Sequence, residues 1–143
     1  MARAQSCWVS GVDDLLVWRL ADELRHLIHN LASRPAVRQD VRFVSQLQDS
    51  CSGVSRNIAE GYGRRRPREF AHYLLIARGS LAELEDHLRE GAARRHWADR
   101  ELTEARVFCR RTRGAIDGLI RYLRSPEAER NAARTLNWPP GRT

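Results

Sequence analysis

The stretch from Val41 to Leu88 constrains the fold more tightly than any other. Its apolar residues fall into two stripes, Val44, Leu47, Cys51, Val54 and Ile58, then Phe70, Leu74, Ala77, Leu81, Leu84 and Leu88. Both step alternately by three and four, the spacing that keeps one face of an α-helix apolar; a strand would need strict alternation. Between them stand Gly61 and Gly63, able to take the positive φ that ends a helix, and Pro67, suited to the first turn of the next. The stretch is therefore expected to be a hairpin of two long helices lying side by side.

The same period runs through the rest of the chain. A first helix, capped by Asp13 or Asp14, is predicted to reach about Ala32 with Val17, Leu20, Leu24, Leu27 and Leu31 on its core face. Ser33-Arg34-Pro35 breaks it, and the second helix is expected from near Arg38 to near Glu60. The third spans about Pro67 to Arg89, and Gly91 to Trp97 reads as a connection. A fourth, capped by Asp99, runs to about Arg124 with Leu102, Ala105, Cys109, Thr112, Ile116, Leu119 and Leu123 inward. Four helices with short connections predict an all-α fold, an up-down-up-down antiparallel four-helix bundle. A chain of 143 residues suits one domain with a real core. Residues 1–11 read as a loose tail in which Trp8 docks on the body, 12–124 as the bundle, and 125–143 as a short helical turn from Ser125 followed by a tail ending in Trp138-Pro139-Pro140-Gly141.

Some residues do not fit a lone bundle. Leu15 and Trp18 point away from the first stripe at about 100° per residue, and Tyr73, Ile76 and Ser80 form a second strip beside the third. Leu15, Trp18, Tyr73 and Ile76 are thus expected to make a second buried contact, with other copies of the chain. Gly79-Ser80 in mid-helix, costing about 1 kcal/mol for the glycine, suggests close helix approach. Asn57 is expected to hydrogen-bond across helices or cap the turn. Glu60, unfavourable at a helix C-terminus, calls for a cation, Arg64 or Arg78.

Catalytic chemistry is hard to assemble. Glu23, His26 and His29 hold one Glu-x-x-His spacing, where carboxylate-bridged metal bundles use two with two further glutamates. The three cysteines Cys7, Cys51 and Cys109 are widely separated, and the last two lie on apolar stripes, as small core residues do. Gly61-Tyr62-Gly63 is followed by no lysine and preceded by no strand, so it does not begin a phosphate loop. No enzyme, cofactor or metal is expected. The chain's start has no apolar segment, and its longest apolar run, Tyr73 to Ala77, is far short of a membrane span. A reduced, cytoplasmic setting is expected.

The charge points to a polyanion. The net charge is +7, and all 25 basic residues are arginine. Residues 1–60 hold seven Arg against seven Asp and Glu, so the whole excess lies after residue 60. Arg64, Arg65, Arg66 and Arg68 crowd one loop and helix start. Arg106, Arg110, Arg113, Arg121 and Arg124 fall within about 80° of one another on the fourth helix, interrupted only by Asp117. Without aromatic platforms, these arginines predict binding of RNA or DNA through phosphates with little sequence preference. The competing expectation is a protein-interaction module whose arginines serve solubility.

Particular runs also carry a family resemblance. Asn57-Ile58-Ala59-Glu60-Gly61, Glu69-Phe70, and Ile76-Ala77-Arg78-Gly79-Ser80-Leu81-Ala82-Glu83-Leu84-Glu85, with Leu16-Val17-Trp18, Ala21, Leu24 and Gln46-Leu47, resemble the signature of the 23S rRNA intervening-sequence proteins, small four-helix bundles loosely described as ribosomal-protein-like. The likeness covers roughly Val12 to Leu123. It implies a ring-shaped homopentamer. It also implies kinship with the basic accessory proteins of diversity-generating retroelements, which associate with a reverse transcriptase and nucleic acid; no motif here assigns the chain to that branch.

Overall fold

The computed structural model describes residues 11–136. Expectations about Cys7, Trp8 and the segment 138–141 lie outside the described residues. After a 3-10 turn at Val12–Asp14 come α1 (Leu16–Ala32), α2 (Pro35–Arg38), α3 (Val41–Gly63), α4 (Pro67–Ala93), a 3-10 turn at Asp99–Leu102, α5 (Thr103–Leu123) and α6 (Pro126–Leu136). Among the described residues the regular structure is all helical.

The four long helices close a cycle: α1 packs on α3 and α5, and α4 packs on the same two. Cross-helix contacts fix the directions. Arg94 at the end of α4 meets Asp40 at the start of α3, and Glu101 before α5 meets Arg34 after α1. Arg78 and Glu85 of α4 pair with Asp117 and Arg113 of α5, so their order reverses. The result is the antiparallel bundle that the stripes predict.

Most of the predicted core is buried, including all six residues of the α4 stripe. Three assignments shift by one residue. Ile28 is buried and Leu27 only partly so; Phe43 takes precedence over Val44, and Ile120 over Leu119. Each pair straddles the edge of a stripe, where packing against the neighbouring helix, not spacing, selects the inward residue. Leu15 is a larger correction. It is 7% exposed and belongs to the core cluster, while Leu16 beside it is 63% exposed. Leu15 precedes the helix with extended backbone, φ −78° and ψ 130°, so the 100° helical projection does not apply to it.

Helix ends also differ from expectation. The residue preceding α1 is Leu15, which offers no capping side chain, so neither Asp13 nor Asp14 occupies the cap. Asp99 opens a 3-10 turn and pairs with Arg106 at 3.3 Å; the Ala98 N–H donates instead to Glu101 Oε2 at 2.7 Å. Gly61 and Gly63 stay helical, and no described glycine has positive φ. The left-handed positions are taken by Arg65 (φ 58°) and Arg95 (φ 61°). At Arg95 the His96 N–H donates to the Gly91 carbonyl and the Arg95 N–H to that of Ala92, the paired bonds of a Schellman ending. Gly91 belongs to α4, where Trp97 packs directly over it and donates from Nε1 to the Leu31 carbonyl at 3.1 Å. The expected fifth turn is a full helix, α6, with Ala128 and Ala132 buried.

Candidate nucleic-acid interface

On α5, Arg106, Arg110 and Arg113 each follow a core residue by one position, after Ala105, Cys109 and Thr112. On α4, Glu85 and Arg89 follow Leu84 and Leu88 in the same way. Antiparallel packing brings these flanking rows together. Arg106, Arg110, Arg113, Arg89 and Glu85 line a groove of about 200 Å³, with Leu88 in its floor. Arg113 pairs with Glu85 across the seam, Arg106 with Asp99, and Arg89 with Asp86 at 3.4 Å. Arg110 is exposed and has no ion pair among the described residues. Glu85 and Arg89 escape notice in a single-helix projection; the signal is the shared offset from two stripes on facing helices.

The predicted α5 stripe is not uniform. Asp117 pairs with Arg78 of α4 at 2.7 Å, closing the seam at mid-helix. Beyond it, Arg121 and Arg124 are exposed at the C-terminal end of α5, where α6 and the start of α4 also lie. Arg68 of α4 pairs there with Glu129 of α6 at 3.3 Å. The remaining loop arginines are engaged within the chain. Arg64 meets Glu60 at 2.9 Å and donates to the Tyr73 hydroxyl at 3.0 Å, contacts that raise its pKa further, Glu60 foremost. Arg65 stacks 4.5 Å from the Tyr62 ring centre, and Arg66 stands 4.0 Å from Glu69.

Several signature residues gather along the outer seam of α3 and α4. A Cβ built on Gly61 would stand 2.7 Å from the Tyr73 Cβ and 2.8 Å from Phe70 Cδ2. One on Gly53, which spacing did not single out, would meet Ser80 Oγ at 2.7 Å. Asn57 donates to the carbonyl of Gly53 in its own helix at 2.7 Å, so it neither crosses helices nor caps the turn. Glu60 finds its cation in Arg64, while Arg78 turns to α5. Gly79 is exposed, and a Cβ added there would meet nothing within 4 Å, so close approach belongs to Ser80 and Gly53. Of the four residues expected to face another copy, Leu15 is in the core, Trp18 packs partly buried against it, Tyr73 is half-buried under Arg64, and Ile76 is 41% exposed.

Cys51 and Cys109 are free and buried, and burial pushes both thiols up to about 12. His26 lies 3.5 Å from Asp22. Among the described residues, no three His, Cys, Asp or Glu side chains are placed to hold a metal, and no helix is long and apolar enough to cross a membrane.

The sequence profile of the 23S rRNA-intervening sequence proteins matches residues 13–118. The chain belongs to this family. The matched span covers α1 through most of α5, so both the glycine-packed α3–α4 seam and the α4–α5 groove lie inside it. Among curated proteins no match to the chain is found.

Proposed function

We propose that the chain is a non-catalytic, basic, oligomeric scaffold that binds RNA or DNA through backbone phosphates. The observation that carries this reading is the α4–α5 groove, where four arginines converge against one lining carboxylate. Guanidinium groups offer phosphate a planar fork of donors, and among the described residues no aromatic side chain lines the groove on which a base could stack. Family membership is consistent with a non-catalytic role in a ribosomal RNA context. Anisotropy titrations with labelled RNA and DNA over a range of salt test the proposal. Affinity falling steeply and linearly on logarithmic axes supports it; binding absent at low salt overturns it.

A second reading, a protein-interaction module or accessory subunit, for example of a reverse transcriptase, draws on the arginines themselves. Among the described residues, Arg64, Arg66, Arg68, Arg106 and Arg113 of the proposed contacts are already ion-paired within the chain. Self-association, as the homopentamer that the resemblance implies, is proposed through Ile76 beside Tyr73, an apolar patch on the outer face of α4. A ring would repeat each basic groove and multiply weak phosphate contacts along one polyanion.

A further inference from the structure

Glu85 is the only carboxylate lining the groove among the described residues, and it differs from the acids outside it. Its side chain is 21% exposed, against 79% for Asp86 and 83% for Asp99, which partner the flanking Arg89 and Arg106. Those outer pairs are solvated and cost little to exchange. The Glu85–Arg113 pair is more sheltered, set over Leu88 between two helices, with the unpaired guanidinium of Arg110 in the same groove.

We propose that Glu85 is a built-in competitor: in the free protein its carboxylate holds Arg113, and a nucleic-acid phosphodiester binds by displacing it. The two groups are chemical analogues at a guanidinium. Each presents a pair of oxygens carrying one negative charge, and each fits the two parallel N–H donors of arginine. Arg110 supplies first contact because no internal partner must be given up. Arg113 then exchanges carboxylate for phosphate, and Arg89 and Arg106 close from either side. Such a pocket favours a ligand whose neighbouring phosphates also find arginines, over a small anion that must meet the cost of displacement alone. This inference rests on the phosphate-binding reading above.

The test is a salt series of anisotropy titrations with one labelled single-stranded RNA, on the full chain and on Glu85→Gln, Asp117→Asn, Arg113→Gln and the Glu85→Gln/Arg113→Gln double variant. Asp117→Asn removes the same charge from the same α4–α5 seam, outside the groove. Glu85→Gln is expected to tighten binding about threefold and to steepen the salt slope by about one. Asp117→Asn should leave both nearly unchanged, and the gain from Glu85→Gln should vanish once Arg113 is glutamine. Thermal melts confirm that each variant is folded, and Glu85→Ala repeats the measurement with a second side chain. An equal gain from Asp117→Asn, or a gain that survives Arg113→Gln, assigns the effect to bulk charge and overturns the inference while phosphate binding stands. Absence of salt-dependent binding in every protein overturns both.

Discussion

Gly61 of α3 lies so close to Tyr73 of α4 that an added Cβ would stand 2.7 Å from the tyrosine Cβ, with the Phe70 ring and carbonyl hemming in the other side at 2.8 and 3.3 Å. A backbone carbonyl and a Cβ cannot move aside as a flexible side-chain tip can. The two helices are therefore held at a separation that only glycine permits.

Gly61→Ala is accordingly expected to destabilise the bundle by about 1–3 kcal/mol through overpacking. Gly79→Ala, on the exposed face with nothing within 4 Å, should stabilise it by about 0.5–1 kcal/mol through helix propensity. Urea melts of both variants read the difference. Equal and same-signed shifts would show that the α3–α4 seam is not set by contact at Gly61.

Acid should loosen both ends of two helix connections. The Asp40 carboxyl is held below its usual range chiefly by His96, whose Nε2 lies 2.9 Å away, and next by Arg94 at 2.8 Å; Glu101 is lowered by the Ala98 N–H first and by Arg34. A depressed carboxyl binds its proton more weakly folded than unfolded. Its stabilisation is therefore present above the unfolded value, about 4 for a carboxylate, and disappears as pH falls through the lower folded value. Melting temperature is expected to drop below about pH 4.5, and Asp40→Asn should flatten part of that dependence. A variant whose acid profile superimposes on that of the wild type counts against the assignment.

The thiols shift the opposite way. Cys51 and Cys109 bind their protons more tightly folded, up to about 12, because burial disfavours the thiolate. Native protein at about pH 8 should leave both unalkylated, with labelling appearing only on unfolding, and stability should decline as pH rises from about 9 towards 12. Peptide mapping after a timed alkylation locates the label; rapid modification of either residue in the folded protein contradicts their place in the core.

How much of this is legible in the sequence depends on the scale of the signal. The α4 stripe from Phe70 to Leu88 is readable in full because six spaced apolar residues outweigh any local ambiguity. Glycine misleads for a physical reason: its freedom in φ and its lack of a Cβ are separate properties, and composition does not say which one is used. Here Gly61 and Gly53 serve close packing, while Arg65 and Arg95 bear the left-handed turns. The arginine face is visible on α5, but what other helices bring to it is not: packing sets Glu85 of α4 against Arg113 and Arg78 of α4 against the interrupting Asp117.

Self-association is expected to depend on Ile76, which is 41% exposed on α4. Light scattering should give a mass near five times the 16.5 kDa chain, and Ile76→Asp should lower it without unfolding the bundle, because the side chain is outside the core cluster. A single-chain mass for the wild type at all concentrations would sink the oligomeric scaffold.

The arginines should not contribute equally to nucleic-acid binding. Arg64 gives up a carboxylate and a tyrosine hydroxyl to reach a phosphate, and Arg68 gives up Glu129. Arg110, Arg121 and Arg124 have no ion pair among the described residues, so each gains a charge-assisted bond without losing one. Arg110→Gln is therefore expected to weaken binding several-fold and to reduce the salt slope by about one, whereas Arg68→Gln should have the smaller effect because its guanidinium must first leave Glu129. Arg110 and Arg113 replaced together should lower affinity further while the melting curve stays cooperative, since neither belongs to the core. Titrations of each variant over a series of salt concentrations separate phosphate contacts from net charge. If all single arginine variants lose affinity by the same factor, only the summed charge matters, and the distinction between paired and unpaired guanidinium groups has no functional content.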